Sequence, residues 1–184
     1  MENLVMEAIK NRSSVRGYTE EKLTKEEQDA LICAALSAPS AMNRQPCRVV
    51  LVNNTELLRE IEDATISFFS SNKEVSERLA SRKNKIFYDA STVIFISIPE
   101  KEKNGTIIDA GIMVENIAIA AKGLGLDSVI IGLSGVAFDG ENSDYFKKKL
   151  NFEEGHTFAI SIAIGHAQKP ASPHTIDYSK AIVI

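Results

Sequence analysis

The sequence predicts a β-sheet sandwiched between helices, in an α+β or α/β arrangement. Three observations carry this. Strand-length runs such as Thr92 to Ile98 (TVIFISI) and Thr157 to Ile164 (TFAISIAI) are continuously apolar instead of alternating, so both faces of the sheet must be covered. Segments with apolar residues at helical spacing separate those runs. The stretch Ile107 to Lys122 is apolar on nearly every side, which places a helix inside a core or between subunits.

The elements follow in order. Leu4, Val5, Ala8 and Ile9 predict a first helix over about residues 2 to 11. A second opens at Thr24, where Glu27 completes a capping box, and Pro39 stops it. Arg48 to Asn53 (RVVLVN) reads as a strand. Thr55 is expected to cap a helix running through Leu58 and Ile61. Residues 67 to 85 are polar and charged with weak periodicity, an exposed helix or a flexible excursion. After the strand at Thr92, Pro99 ends the run, and Lys101 to Gly105 reads as a loop. The long apolar helix stops at Gly123 and Gly125; Ser128 to Ile131 and Thr157 to Ile164 are further strands, with a short helix from Ser143 to Leu150 between them. Beyond Gly165 two close prolines, Pro170 and Pro173, exclude regular structure. The chain is therefore expected to be one domain over residues 1–184, with an extended arm from about 166 to 184 ending in the apolar Ala181 to Ile184. That end must be buried on a partner subunit or on its own domain.

Composition narrows the function. A chain of 184 residues can bury one sizeable core, and a formal net charge of −4 argues against a nucleic-acid partner. The most apolar segment is interrupted by Asp109, Glu115 and Asn116, short of the roughly 18 continuous apolar residues a membrane span needs. The start reads as no signal peptide, and Cys33 and Cys47 have no paired or metal-like spacing, so a reducing cytoplasm is expected. His156, His166 and His174 lack ligand spacing, and no nucleophile elbow, zinc-protease or phosphate-loop motif is present. If this is an enzyme, a cofactor must do the chemistry.

Two segments suggest which cofactor. Arg12-Ser13-Ser14-Val15-Arg16 sets two guanidinium groups four residues apart, with hydroxyls beside the first; such groups suit a phosphate. A solvated charge pair at a helix end explains the same residues equally well. Ala38-Pro39-Ser40-Ala41-Met42-Asn43-Arg44-Gln45-Pro46 is a Pro-bounded turn rich in amides and hydroxyls, suited to the edge of a flat heterocycle or merely to a polar connection.

These segments, together with D-A-G-I-M-V-E-N-I from Asp109, G-L-G-L-D-S-V-I-I-G from Gly123 and I-G-H-A-Q-K-P from Ile164, occur in the order of the FMN-dependent nitroreductase family, which the chain closely resembles over almost its whole length. The resemblance implies an α+β fold with a central, mostly antiparallel sheet and an intertwined homodimer holding FMN at its interface. It implies that Arg12, Ser13, Ser14 and Arg16 hold the phosphate and the pyrimidine edge of the ring. Pro39, Ser40, Ala41, Met42, Asn43 and Gln45 resemble the loop that reaches the flavin of the other subunit. Ile131, Gly132 and Leu133 resemble the segment passing the ring N5, and Gly165 and Lys169 match the tail that completes the phosphate site. Three positions depart from the family pattern. It often has a basic residue at Ser13, an aromatic one at Cys47 and an arginine near His174, so weaker FMN binding or a reshaped pocket is expected.

The implied activity is an NAD(P)H oxidoreductase passing hydride through the flavin to a nitroaromatic or quinone-type small-molecule acceptor, with no side chain required as acid or base. A specialised dehalogenase or ring-oxidising dehydrogenase of the same fold, or a non-catalytic flavin-binding module, are the alternatives.

Overall fold

The computed structural model describes residues 3–140 and 142–184. Its sheet has four strands, β1 (Arg48–Val52), β2 (Thr92–Pro99), β3 (Asp127–Ile131) and β4 (His156–Gly165), in the order β1-β2-β4-β3. Every neighbouring pair is antiparallel, so the fold is α+β. The helices are α1 (Leu4–Asn11), α2 (Lys25–Leu36), α3 (Thr55–Phe68), α4 (Lys73–Ala80), α5 (Lys103–Gly123) and α6 (Ser143–Lys149). None of the described helices is long and apolar enough to cross a membrane.

The continuous apolar runs have the cause expected of them. Along β2, Val93 and Phe95 join one buried cluster with Leu57, Leu58 and Ile61 of α3, while Ile94, Ile96 and Ile98 join another with α2 and α5. Successive side chains point to opposite faces, so two buried faces require an unbroken apolar run. A bulge between Ile96 and Ser97 shifts the register against β4.

Caps explain most helix starts. Thr24 and Glu27 form the expected capping box of α2. Asn54, rather than Thr55, caps α3, accepting from the N–H groups of Glu56 and Leu57; its amide oxygen reaches the first turn, whereas Thr55 lies inside the helix. Asn3 caps α1 in the same way; the predicted start at residue 2 lies outside the described residues. The expected loop at Lys101 to Gly105 is instead a 3₁₀ turn, Glu100–Glu102, running into α5 at Lys103. Residues 67–85 contain the end of α3, all of α4 and turns. At the other end of α5, Gly125 takes φ 79°, and Leu126 N–H returns to Ala121 O to close the helix.

Helix α5 is buried through Ala110, Val114, Ile117 and Ala121, but Ile107, Ile108 and Ile112 are exposed. They accompany exposed Leu4, Val5 and Ile9 on α1, which packs against α5. After β4 the chain is irregular except for a 3₁₀ turn at Tyr178–Lys180, and Ile182, Val183 and Ile184 are exposed.

One buried polar group sets a pH dependence. His156 opens β4 with its Nδ1 3.2 Å from Ser97 Oγ and its Nε2 4.0 Å from Glu153. Ser97 is fully buried, so this serine–histidine–glutamate set offers no accessible nucleophile. Burial holds the His156 pKa below its ordinary 6.5; Glu153 opposes that and Arg48 adds to it. Above pH 6.5 both folded and unfolded chains carry neutral His156, with no cost. As pH falls below 6.5, the unfolded chain takes up a proton that the folded chain resists, so stability falls until the folded form protonates too. His156→Gln should flatten the fall in melting temperature between pH 7 and 5; an unchanged pH profile would assign that loss to other groups.

Candidate cofactor site

The segment carrying the first motif is held in place by backbone pairing. Ser14 bridges Ser128 at the start of β3, Tyr18 bridges Ala167, and Val15 N–H donates to Ser128 O at 3.0 Å. Thr19 N–H donates to His166 O and Gln168 N–H to Gly17 O. Residues 13–19 therefore lie between β3 and the beginning of the C-terminal arm. Tyr18 anchors them, its buried hydroxyl sharing its one hydrogen between Val15 O at 2.9 Å and Ala163 O at 3.2 Å. Burial raises the Tyr18 pKa, with Asp127 adding to the effect, and keeps this hydroxyl neutral.

Within that frame the predicted residues take different positions. Arg16 is exposed, with Nη1 3.3 Å from Ser14 O. It lines two adjoining depressions of about 140 and 290 Å³, which share Arg82, Lys85 and Tyr88. Ile131, Gly132 and Leu133 form a wall of the first. Arg12 directs Nε to Glu115 of α5 at 3.5 Å, leaving its two terminal amino groups as donors. Ser13 is buried and donates its hydroxyl to Ala171 O at 3.1 Å, pinning the arm; Ser14 is exposed. Gly165 ends β4 against Tyr18, where an added Cβ would stand 3.0 Å from the Tyr18 ring. Lys169 is exposed beside Gln168, which lines the larger depression.

Arg82, Lys85 and Tyr88 were not singled out by the sequence reading. They belong to a segment in which Lys83, Asn84, Tyr88 and Asp89 adopt positive φ between 54° and 61°, a conformation costly for residues other than glycine. Arg82 Nη1 lies 3.3 Å from Tyr88 Oη, and Lys85 pairs with Asp89. That pairing raises the Lys85 pKa. The density of basic residues over Arg78, Arg82, Lys83 and Lys85 was the available signal.

The second motif lies elsewhere on the chain. Pro39, Ser40 and Gln45 border a separate cavity between α2, β1 and α5. Met42 (φ 53°), Asn43 (55°) and Gln45 (48°) are all left-handed, and residues 41–45 are exposed. Ser40 Oγ accepts from Gln45 N–H at 2.8 Å, and Asp109 Oδ1 accepts from Ala41 N–H at 3.3 Å. Arg44 pairs with Glu102 at 2.9 Å. The loop is thus a strained, multiply anchored projection. Cys47 is buried at its base; burial, then the Asp109 charge, pushes its thiol up to about 11, so it is no thiolate at neutral pH.

The donor set around Arg16 fits a phosphorylated, ring-bearing group. Three cationic side chains converge on a depression whose other wall is apolar, and the exposed backbone of Gly132 is unscreened by a side chain. The chain is thus an α+β protein with a four-stranded antiparallel sheet between helices and a cationic depression at the end of β3. Comparison with known proteins places it in a family. The model of the nitroreductase family matches residues 9–166, and the chain belongs to that family. A curated relative from Methanothermobacter thermautotrophicus, described as a putative NADH dehydrogenase/NAD(P)H nitroreductase, is 33% identical over 132 residues, covering 70% of this chain and 61% of its own length. The chain therefore spans about three fifths of that relative. Among solved structures, a nitroreductase with bound FMN from Desulfitobacterium hafniense superposes with a TM-score of 0.96 at 33% identity, covering 100% of both chains. An FMN-dependent nitroreductase from Clostridium difficile gives 0.81 at 29% identity, again over 100% of both.

Proposed function

We propose that the chain is an FMN-dependent oxidoreductase that takes electrons from NADH or NADPH and passes them to a nitroaromatic or quinone-type acceptor. The observation that carries this reading is the separation of the two motifs. Arg16 and the Ile131–Leu133 wall share one cleft, while the Pro39–Gln45 loop projects from another part of the molecule. A homodimer in which each loop reaches the partner's cleft reunites them. Support for that assembly comes from the exposed Leu4, Val5, Ile9, Ile107, Ile108 and Ile112 on adjoining helices, since contiguous apolar surface marks an interaction face. In this reading residues 1–184 form one domain, whose arm from about 166 ends in the exposed Ile182–Ile184 on the partner.

In the cleft, Arg12, Ser14 and Arg16, with Lys169 from the arm, hold the FMN phosphate and the ring edge. Arg82 and Lys85 extend that cationic rim. Ser13 acts at one remove, by holding the arm through Ala171. Bound there, FMN supplies the hydride acceptor and donor through its N5. The backbone of Ile131, Gly132 and Leu133, which lines the depression, would lie along the redox-active part of the ring, and Gly165 lets Tyr18 pack tightly beneath the phosphate segment. The protein's part is positioning and charge stabilisation, with no side chain acting as acid or base.

The purified protein should absorb between roughly 350 and 500 nm, as oxidised flavin does, and that band should bleach when NADH or NADPH is added anaerobically. A colourless protein that takes up no added FMN would overturn the proposal. Bound FMN that neither nucleotide reduces would make the chain a flavin-binding module instead.

A further inference from the structure

Segment 81–89 carries Arg82, Lys85 and Tyr88 into both depressions of the cleft, yet little ties it to the rest of the chain. Residues 81–84 and Asp89 are exposed. Most of its hydrogen bonds are local: Asn84 N–H returns to Leu79 O, Lys85 N–H to Arg82 O, Arg82 meets Tyr88, and Lys85 pairs with Asp89. Among the described residues, two hydrogen bonds leave it for another element, and both end on one atom. Ile86 N–H donates to Glu62 Oε1 of α3 at 2.8 Å, and Phe87 N–H donates to the same oxygen at 2.7 Å. Hydrogen bonds to an ionised carboxylate are roughly twice as strong as neutral ones. Glu62 stands on a fixed base, because Leu58 and Ile61 of the same helix are buried in the core.

The grip falls between two strained pairs. Lys83 and Asn84 on one side, and Tyr88 and Asp89 on the other, hold left-handed backbone, which persists only where the surroundings over-determine it. The side chains of Ile86 and Phe87 are buried in the core and set the depth of the segment. They leave the direction of its backbone open, and two amides held by one oxygen fix it. We infer that Glu62 is a positioning residue for the cleft: by holding the amides of Ile86 and Phe87 it keeps Arg82 and Lys85 turned to the cationic rim. Glu62 lines neither depression of that cleft and borders instead a separate one of about 280 Å³, with Thr55 and Arg59. It therefore acts through the segment alone. Its effect on FMN rests on the flavin reading above; the tether itself does not.

Amide hydrogen exchange reads the tether, and flavin titration reads its consequence. In Glu62→Ala, exchange across 81–89 should quicken at least about tenfold, as loss of charge-assisted bonds implies, while β2 and β4 keep wild-type rates. The dissociation constant for FMN should rise at least about threefold. Glu62→Gln, whose Oε1 still accepts both N–H groups, should recover most of both losses. Glu62→Asp is one methylene too short, should follow Ala, and serves if Ala fails to fold. A residue of merely structural importance would lower the melting temperature and leave the FMN affinity of the folded protein unchanged. In an Arg82→Ala/Lys85→Ala background, adding Glu62→Ala should shift the constant by less than about twofold, because the groups it positions are already gone. Wild-type exchange over 81–89 in Glu62→Ala would overturn the assignment. So would faster exchange with unchanged FMN affinity, or a fully additive loss in the Arg82→Ala/Lys85→Ala background. A protein that takes up no FMN sinks the flavin reading, and exchange over 81–89 then decides this inference by itself. A yellow protein with unchanged exchange sinks only this inference.

Discussion

Arg16→Ala should raise the dissociation constant for FMN roughly 10- to 150-fold, the equivalent of one charge-assisted hydrogen-bonding group worth about 1.5–3 kcal/mol. Arg16 is the residue on which the proposed site converges, since it lines both depressions and faces the Ile131–Leu133 wall. Among the described residues only its Nη1 is engaged, by Ser14 O at 3.3 Å. The fold should be indifferent to the change, because the side chain is exposed and its segment is held by Tyr18 and by backbone pairing with β3. Arg12→Ala should have a smaller effect, since Glu115 already shares its guanidinium. Arg16→Lys should fall between wild type and Ala, because an ammonium keeps the charge and loses the planar fork. Quenching of flavin fluorescence on titration measures each constant, and circular dichroism checks the fold. Wild-type affinity in Arg16→Ala would remove Arg16 from the site.

What the sequence disclosed and what it hid follow a physical line. Periodicity disclosed the sheet because burial on both faces leaves an unbroken apolar run, as in Thr92 to Ile98. The Thr24–Glu27 box was legible because its partners are three residues apart. Partners distant in sequence were not. Nothing local to Arg12 announces Glu115, and nothing local to Ala41 announces Asp109 Oδ1, because α5 brings both carboxylates there. Exposed Ile107, Ile108 and Ile112 show a further limit. An apolar helix surface says that burial is needed and leaves open whether the covering element belongs to the same chain. Segment 81–89 was obscure for another reason. Its contribution lies in left-handed backbone at Lys83, Asn84, Tyr88 and Asp89, which residue types other than glycine do not advertise.

Phe138→Ala should cost roughly 3–5 kcal/mol of folding free energy, as truncation of a buried aromatic typically does. That is a large part of the ~5–15 kcal/mol by which domains are stable. Phe138 is 1% exposed. Its ring lies 5.0 Å from Phe158 and 5.6 Å from Phe152, both stacked, and 6.0 Å from Phe95 and 6.1 Å from Phe146. Removing it takes one member out of four aromatic pairs and opens a void that β2, β4 and α6 cannot close without moving their own rings. The loss should also reach the cleft. Phe138 ends the 3₁₀ segment Leu133–Phe138, which begins beside Gly132, so its ring holds down the far end of the proposed N5 wall. Chemical denaturation should therefore show the midpoint falling with little change in slope, and saturating FMN should restore only part of the difference, since ligand at about 100 times its dissociation constant adds only ~2.7 kcal/mol. Phe138→Leu, which keeps most of the volume, should lose much less. A loss below about 1 kcal/mol in Phe138→Ala would mean that the surrounding phenylalanines repack freely and that this cluster does not fix the position of the cleft wall.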